Sequence, residues 1–166
     1  MPLAYIGLGG NIGDSQSIFH SVLTDFTQHQ TIELVTVSAF YVTKPLDNMH
    51  QPDYLNAVAC LKTTLSPYQL LDLLQSFEKQ YGRVRSGKNW ESRTLDLDIL
   101  LYGDRIIQDP ELVVPHQGML ERDFVLFPLY DISPQLEIPG FGPIYKAIQG
   151  CENRGMKKIN EHNTEF

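Results

Sequence analysis

The sequence predicts an α+β domain with a ferredoxin-like βαββαβ core, an antiparallel sheet with helices packed on one face, and additional helices toward the C-terminus. Three observations carry this. Residues 4–9, 33–43, 54–63 and 94–102 read as strands, by apolar alternation or by Val, Thr, Tyr and Phe content. Helical periodicity falls between the first two of these and between the last two, and the resulting order is that of a split βαβ arrangement. The length of 166 residues, 42% of them hydrophobic, suits one domain with a single core, so residues 1–166 are read as one unit.

Residues 4–9 form a short buried strand ending in Gly9, Gly10, Asn11, Ile12 and Gly13. Gly7 and Gly9 have dinucleotide-fingerprint spacing and Glu33 lies downstream, but Ile12 occupies the third glycine position, so a glycine turn feeding a helix capped by Asp14 is the simpler reading. Ile18, Phe19, Val22, Leu23 and Phe26 mark one face of that helix. Two strands follow, joined by residues 44–53, a two-proline loop long for a hairpin and therefore a candidate functional loop. In the second of them Tyr54, Asn56, Val58 and Cys60 share one face, and Leu55, Ala57, Ala59 and Leu61 the other. A Tyr beside an Asn suits a flat, hydrogen-bonding ring, and equally an ordinary sheet edge.

Ser66, Pro67 and Gln69 are a helix start with a capping box, Leu70, Leu71, Leu74, Phe77 and Tyr81 its buried stripe, and Gly82 its end. Beyond the fourth strand, residues 120–131 hold a helix whose Pro128 is expected near an end or a kink, and residues 144–148 one more short helix. Residues 151–166 read as a weakly packed tail. Cys60 and Cys151 lack paired spacing and read as free thiols. The formal net charge of -7 argues against a nucleic-acid surface, and with no long apolar run and no basic leader at residues 1–11 the expected location is the cytoplasm.

The stretch from Gly82 to Gly103 carries the chemistry. On its strand Thr94, Asp96, Asp98 and Leu100 share one face, and Leu95, Leu97, Ile99 and Leu101 the other. Side chains two apart on a strand stand about 7 Å apart or less, aimed the same way. Two such carboxylates repel unless a cation lies between them, and Mg²⁺ takes one or two carboxylates with waters and phosphate oxygens. The preceding loop places Arg83, Arg85, Lys88 and Arg93 beside Gly82 and Gly87. An isolated Asp-x-Asp is more often a solvated strand face; the basic, glycine-containing loop turns the reading toward a metal and a polyphosphate. The sheet is expected to gather Tyr54, Asn56, Asp96 and Asp98 on its open face.

GRVR at residues 82–85, the tryptophan-containing loop and RTLDLDILLYG at residues 93–103 together strongly resemble the 6-hydroxymethyl-7,8-dihydropterin pyrophosphokinases of folate biosynthesis. The resemblance runs over almost the whole chain, through the turn at Gly9 to Asn11, residues 51–56 (QPDYLN), Val114-Pro115-His116 and residues 122–126 (RDFVL). It implies transfer of pyrophosphate from ATP to the pterin hydroxymethyl group with release of AMP, and two Mg²⁺ ions held by Asp96 and Asp98. By the same resemblance Arg83 and Arg93 stabilise charge, and Arg85, His116, Arg122 and Trp90 contact ATP. Tyr54 and Phe124 flank a pterin slot, Asn56 hydrogen-bonds the ring edge, and Thr43, Leu46 and Trp90 complete the pocket. The loop over residues 83–93 is expected to close as a lid. Asn89, Gln117 and Gly10 depart from the family pattern, and Glu78 matches a family carboxylate without an assigned role. The implied partners are the substrates ATP and the pterin; no nucleic acid, membrane or obligate protein partner is expected, and the chain is expected to be a monomer, though the resemblance leaves room for a partner enzyme of the same pathway. A two-metal phosphoesterase or nuclease and a non-catalytic ligand- or RNA-binding ferredoxin-like module are the competing readings; the RNA form of the second expects a basic, aromatic sheet face where this one presents carboxylates.

Overall fold

A computed structural model of the chain describes residues 1–10, 15–43, 53–82, 95–153 and 155–159. The first half runs β1 (Leu3–Gly10), α1 (Ser15–Gln28), β2 (Ile32–Val37), β3 (Tyr41–Thr43), β4 (Tyr54–Thr63), α2 (Pro67–Gln80) and β5 (Asp96–Tyr102). After it come β6 (Ile107–Gln108), β7 (Val113–Val114), a 3-10 turn (Met119–Glu121), α3 (Asp123–Ile132), β8 (Glu137–Ile138), β9 (Gly142–Pro143), α4 (Ile144–Gln149) and β10 (Lys157–Lys158). The main sheet has six strands in the order β10-β3-β4-β1-β5, with β2 also on β4. Every pairing in it is antiparallel, and the split βαβ order expected from the sequence is present.

Both crossover helices lie on one face of the sheet. Phe19, Val22, Leu23 and Phe26 of α1 and Leu70, Leu74 and Phe77 of α2 form one core with Ile6, Leu8, Leu55, Ala57, Ala59, Leu61, Leu97 and Ile99. α2 starts as its sequence requires: the Ser66 side chain accepts from the Gln69 backbone N–H while the Gln69 side chain accepts from the Ser66 N–H. Gly82 follows it with φ +91. The expected cap of α1, Asp14, lies outside the described residues.

The structure departs from the sequence reading at three places and narrows it at a fourth. The strand expected over 33–43 is broken at Ser38, whose N–H donates to Val58 O and whose Oγ accepts from Val58 N, so one residue takes both bonds and Phe40 turns into the core against Phe19. A bulge in β5 pairs Ile99 with Ile6 but Leu101 with Tyr5; Leu100 is the extra residue, and Leu101 therefore leaves the first core for the opposite face. Of the two settings expected for Pro128, an end or a kink, the end is not the one adopted: Pro128 lies inside α3, so the Phe124 carbonyl receives no N–H from it, and Pro128 is buried with Val125, Leu126 and Leu129. Lastly, part of the expected loose tail is a strand, for Lys157 and Lys158 pair with Val42 and Tyr41, and Ile159 donates its N–H to Phe40 O at 2.8 Å and packs on the first core.

The second face, expected to be open, is open only in part. Tyr5, Val58, Cys60, Leu100 and Leu101 are covered there by Met119, by Val125, Leu126 and Leu129 of α3, and by Ile144 and Ala147 of α4. What remains beside this layer is the end carrying Asn56 and Asp96.

Candidate active site

The site is built on one transverse row of the sheet. Asn56 on β4 stands opposite Gly9 on β1, and Gly9 stands opposite Asp96 on β5. Residues directly opposite in antiparallel strands share a face, so the amide and the carboxylate flank a residue with no side chain. A Cβ at Gly9 would lie 3.5 Å from Asn56 Oδ1 and 4.0 Å from the Asp96 Cβ, in the space between them. Glycine keeps that floor flat. In the next row Gly7 separates Val58 from Asp98, and here the Leu100 side chain covers the glycine, 3.4 Å from where a Cβ would stand.

At the Asn56 end of this row Thr43, Tyr54 and Asn56 share one face of β3 and β4. Asn56, 8% exposed, donates from Nδ2 to Thr43 Oγ1 at 3.1 Å, which fixes the amide and leaves Oδ1 toward Gly9. Tyr54, 38% exposed, pairs with Thr43 and projects from the same face of β4 as Asn56. Phe124 is half-buried in the first turn of α3, and Arg122, just before that helix, holds its guanidinium carbon 5.8 Å from the Phe124 ring centre. Gly118 has φ +86, a conformation that favours glycine, and a Cβ there would stand 3.6 Å from Arg122 Nε.

On the acidic side, Asp96 is half-buried and the Asp98 side chain is 53% exposed. His116 donates its backbone N–H to Leu100 O at 2.9 Å and brings Nε2 to 3.9 Å from Asp98 Oδ2. Its Nδ1 is buried without a hydrogen-bond partner among the described residues. No group of three or more His, Cys, Asp or Glu gathers there as a self-sufficient metal cage among the described residues. The pair of carboxylates is instead a donor set that fits Mg²⁺, which completes its shell with water and phosphate oxygens. Leu46, Arg83, Arg85, Trp90 and Arg93, and with them Lys88, Asn89 and the expected lid, lie outside the described residues.

The model of the 7,8-dihydro-6-hydroxymethylpterin-pyrophosphokinase family matches residues 5–134. A 2-amino-4-hydroxy-6-hydroxymethyldihydropteridine pyrophosphokinase of Haemophilus influenzae is 45% identical over 96% of this chain and 99% of its own length. The protein of the same name from Pseudomonas aeruginosa is 39% identical over 93% of this chain and 95% of its own. The chain belongs to the pterin pyrophosphokinase family. Among solved structures, a Plasmodium falciparum HPPK-DHPS bound to pteroate superposes with a TM-score of 0.70 at 13% identity, covering 90% of this chain and 42% of that longer one. That likeness is one of fold, and it agrees with the ferredoxin-like core expected from the sequence.

Within this pyrophosphokinase the structure adds a residue whose role the sequence left unassigned. Glu78, only 4% exposed near the end of α2, accepts the Leu97 backbone N–H at 2.9 Å through Oε2. Leu97 stands between Asp96 and Asp98, and β5 ends the order of the sheet, so its outward N–H has no neighbouring strand in that order to accept it. The carboxylate takes the place of that strand. A signal was present in the sequence: Glu78 falls four residues after Leu74, on the buried stripe of the helix, where a carboxylate requires a partner.

Proposed function

We propose that this pyrophosphokinase transfers the pyrophosphoryl group of ATP to the hydroxymethyl oxygen of 6-hydroxymethyl-7,8-dihydropterin, with Asp96 and Asp98 holding two Mg²⁺ ions. The observation that carries the reading is the row in which an oriented amide and a carboxylate face each other across Gly9. It sets a ring-edge hydrogen-bonding group and a metal-binding group side by side on one rigid sheet.

Asn56 is the group that orients the pterin, because its Nδ2 is already engaged by Thr43. Tyr54 and Phe124 supply aromatic faces for stacking, and Leu46 and Trp90 complete the slot. The pterin hydroxyl oxygen attacks the β-phosphorus, the bond from that phosphorus to the oxygen bridging it to the α-phosphorus breaks, AMP leaves with that oxygen, and the hydroxyl proton passes to water. Asp96 and Asp98 would hold the Mg²⁺, which when bound would supply charge neutralisation on the triphosphate and a lowered pKa of the attacking hydroxyl. His116 and Arg122, on the C-terminal layer, face the phosphates with Arg85, and Arg83 and Arg93 stabilise the charge that develops in transfer. No covalent nucleophile is required.

No helix among the described residues is long and apolar enough to cross a membrane. The reading places the enzyme in the cytoplasm as a monomer acting on two small molecules.

The test is AMP formation from ATP and Mg²⁺ by the purified chain, with and without the pterin. Pterin-dependent AMP is the expected result. ADP or phosphate released without the pterin would replace this reading by a phosphohydrolase, and folded protein that binds ATP but forms no AMP would replace it by a binding module.

A further inference from the structure

The transverse row does not stop at Asn56. Tyr41 on β3 stands opposite Asn56, and Lys158 on β10 stands opposite Tyr41, so one line runs Lys158, Tyr41, Asn56, Gly9, Asp96 across five strands. A carboxylate ties its far end to the helical layer. Asp131 in the last turn of α3 accepts a hydrogen bond from the Tyr41 hydroxyl through Oδ2, and the same oxygen lies 3.5 Å from Lys158 Nζ. The ammonium group also lies 5.6 Å from the Tyr41 ring centre.

Three features make this junction bear on the substrate slot. β3 is only three residues long, and its outer edge is covered by β10. Tyr41 and Thr43 project from the same side of β3, and Thr43 is the residue that fixes Asn56. Asp131 follows Phe124 by seven residues, close to two helical turns, so both lie along one side of α3 about 10 Å apart. The carboxylate thus connects the helix that carries the aromatic wall to the strand that carries the polar floor.

We propose that Asp131, with Lys158 of the C-terminal strand, is a positioning residue for the pterin: it sets the spacing between Phe124 and the Thr43–Asn56 face. This rests on the pterin slot proposed above. The Lys158 contact is half-exposed and is worth little as an isolated ion pair; its part is to hold β10 and Asp131 in register with Tyr41. The contacts of Asp131 are with Tyr41 and Lys158, and none of the residues proposed for ATP or metal is among them, so its loss is expected to act on one substrate and not the other.

The test compares Asp131→Ala, Asp131→Asn and Tyr41→Phe with Asn56→Ala, which alters the slot directly. Each is assayed well below its own melting temperature. The readouts are KM for the pterin, kcat, and affinity for a non-hydrolysable ATP analogue with Mg²⁺. Asp131→Ala is expected to raise KM for the pterin about tenfold, the scale of one lost hydrogen bond to a charged group, with analogue affinity and kcat within about twofold. Asp131→Asn, which keeps an oxygen for Tyr41, recovers most of the loss, and Tyr41→Phe reproduces it. A pterin KM unchanged in Asp131→Ala, or pterin and analogue weakened equally, overturns the positioning role. Asn56→Ala separates the two levels. If it weakens the pterin while Asp131→Ala does not, the slot stands and the tie falls; if only Asp131→Ala weakens it, the tie stands and Asn56 is not the orienting group.

Discussion

Removing the Glu78 carboxylate tests how the acidic strand is held. In Glu78→Ala the Leu97 N–H loses a buried acceptor at 2.9 Å. An unsatisfied buried donor costs about 1–3 kcal/mol, and removal of the side-chain volume adds to it. For a chain of this size each kcal/mol lowers Tm by about 2–4 °C, so a fall of about 2–12 °C is expected. The functional consequence is more specific. Leu97 lies between Asp96 and Asp98 on an edge strand, so slackening its N–H displaces both carboxylates, and small misplacement at a reacting centre can lower kcat by as much as about a hundredfold. The Mg²⁺ concentration for half-maximal rate should rise with it, while the pterin KM, which the proposed slot assigns to β3, β4 and α3, should stay near its starting value.

Glu78→Gln is the control that keeps the argument falsifiable. The amide retains an oxygen of similar reach and loses only the charge assistance, so most of the stability and Mg²⁺ dependence should return. The assays are thermal unfolding followed by far-UV circular dichroism, and AMP formation against Mg²⁺ at a temperature where both variants are folded. If Glu78→Ala unfolds earlier but shows the original Mg²⁺ dependence, Glu78 supports the core and not the carboxylates. Equal loss in the two variants would mean that the Leu97 bond is not what matters.

Asp98→Ala should lower turnover at least about a hundredfold, since metal-borne charge stabilisation is worth several kcal/mol, and near-normal turnover would remove Asp98 from the metal site. Tyr54→Ala should weaken the pterin and spare the ATP analogue; equal loss of both would make Tyr54 a structural sheet residue, checked by titrating each ligand separately. Alkaline unfolding should be steep. The Tyr81 phenol is pushed up to about 12 by burial and by its hydrogen bond to Asp25, and Tyr41 is raised by burial and Asp131. The unfolded phenols ionise near pH 10, so the unfolded chain loses protons first; this stability is complete below about pH 10 and falls as pH rises toward the folded values. Tyr81→Phe should flatten that slope in denaturant titrations between pH 9 and 12.

Much of this was legible in the sequence because local chemistry and tertiary packing agree over most of the chain. The capping box at Ser66, the stripe of α1 and the alternation of β4 each have one physical solution, and the structure adopts it. Asp96 and Asp98 were likewise readable, since a two-residue period places them on one face whatever the rest of the fold does. The misreadings share a cause. The bulge at Leu100, the break at Ser38 and the pairing of Lys157 and Lys158 all depend on a partner strand distant in sequence, and nothing in a local window reports the register of that partner. Asp131 was hidden in the same way, because an acidic residue at the end of an amphipathic helix looks solvated until Tyr41, ninety residues away, is brought beneath it.

The bulge also explains why the sheet has room for a site at all. With regular alternation, β5 would present Asp96, Asp98 and Leu100 to the second face and return Leu101 to the first. The extra residue instead puts Leu100 and Leu101 side by side on the second face, where they meet Met119, Leu126 and Leu129. The face of β5 therefore changes abruptly from two carboxylates to two leucines, and the edge of the C-terminal layer falls between Asp98 and Leu100. That edge is where His116 reaches Asp98 and where α3 begins with Arg122 and Phe124. The helices that the sequence order presents as an addition to a finished βαββαβ core thus stand as the second wall of the proposed site. A chain lacking α3 and α4 would keep its first core and both aspartates, yet would lose Phe124 and the packing that sets Arg122 and His116, and with them the phosphate contacts and the aromatic side of the slot proposed here.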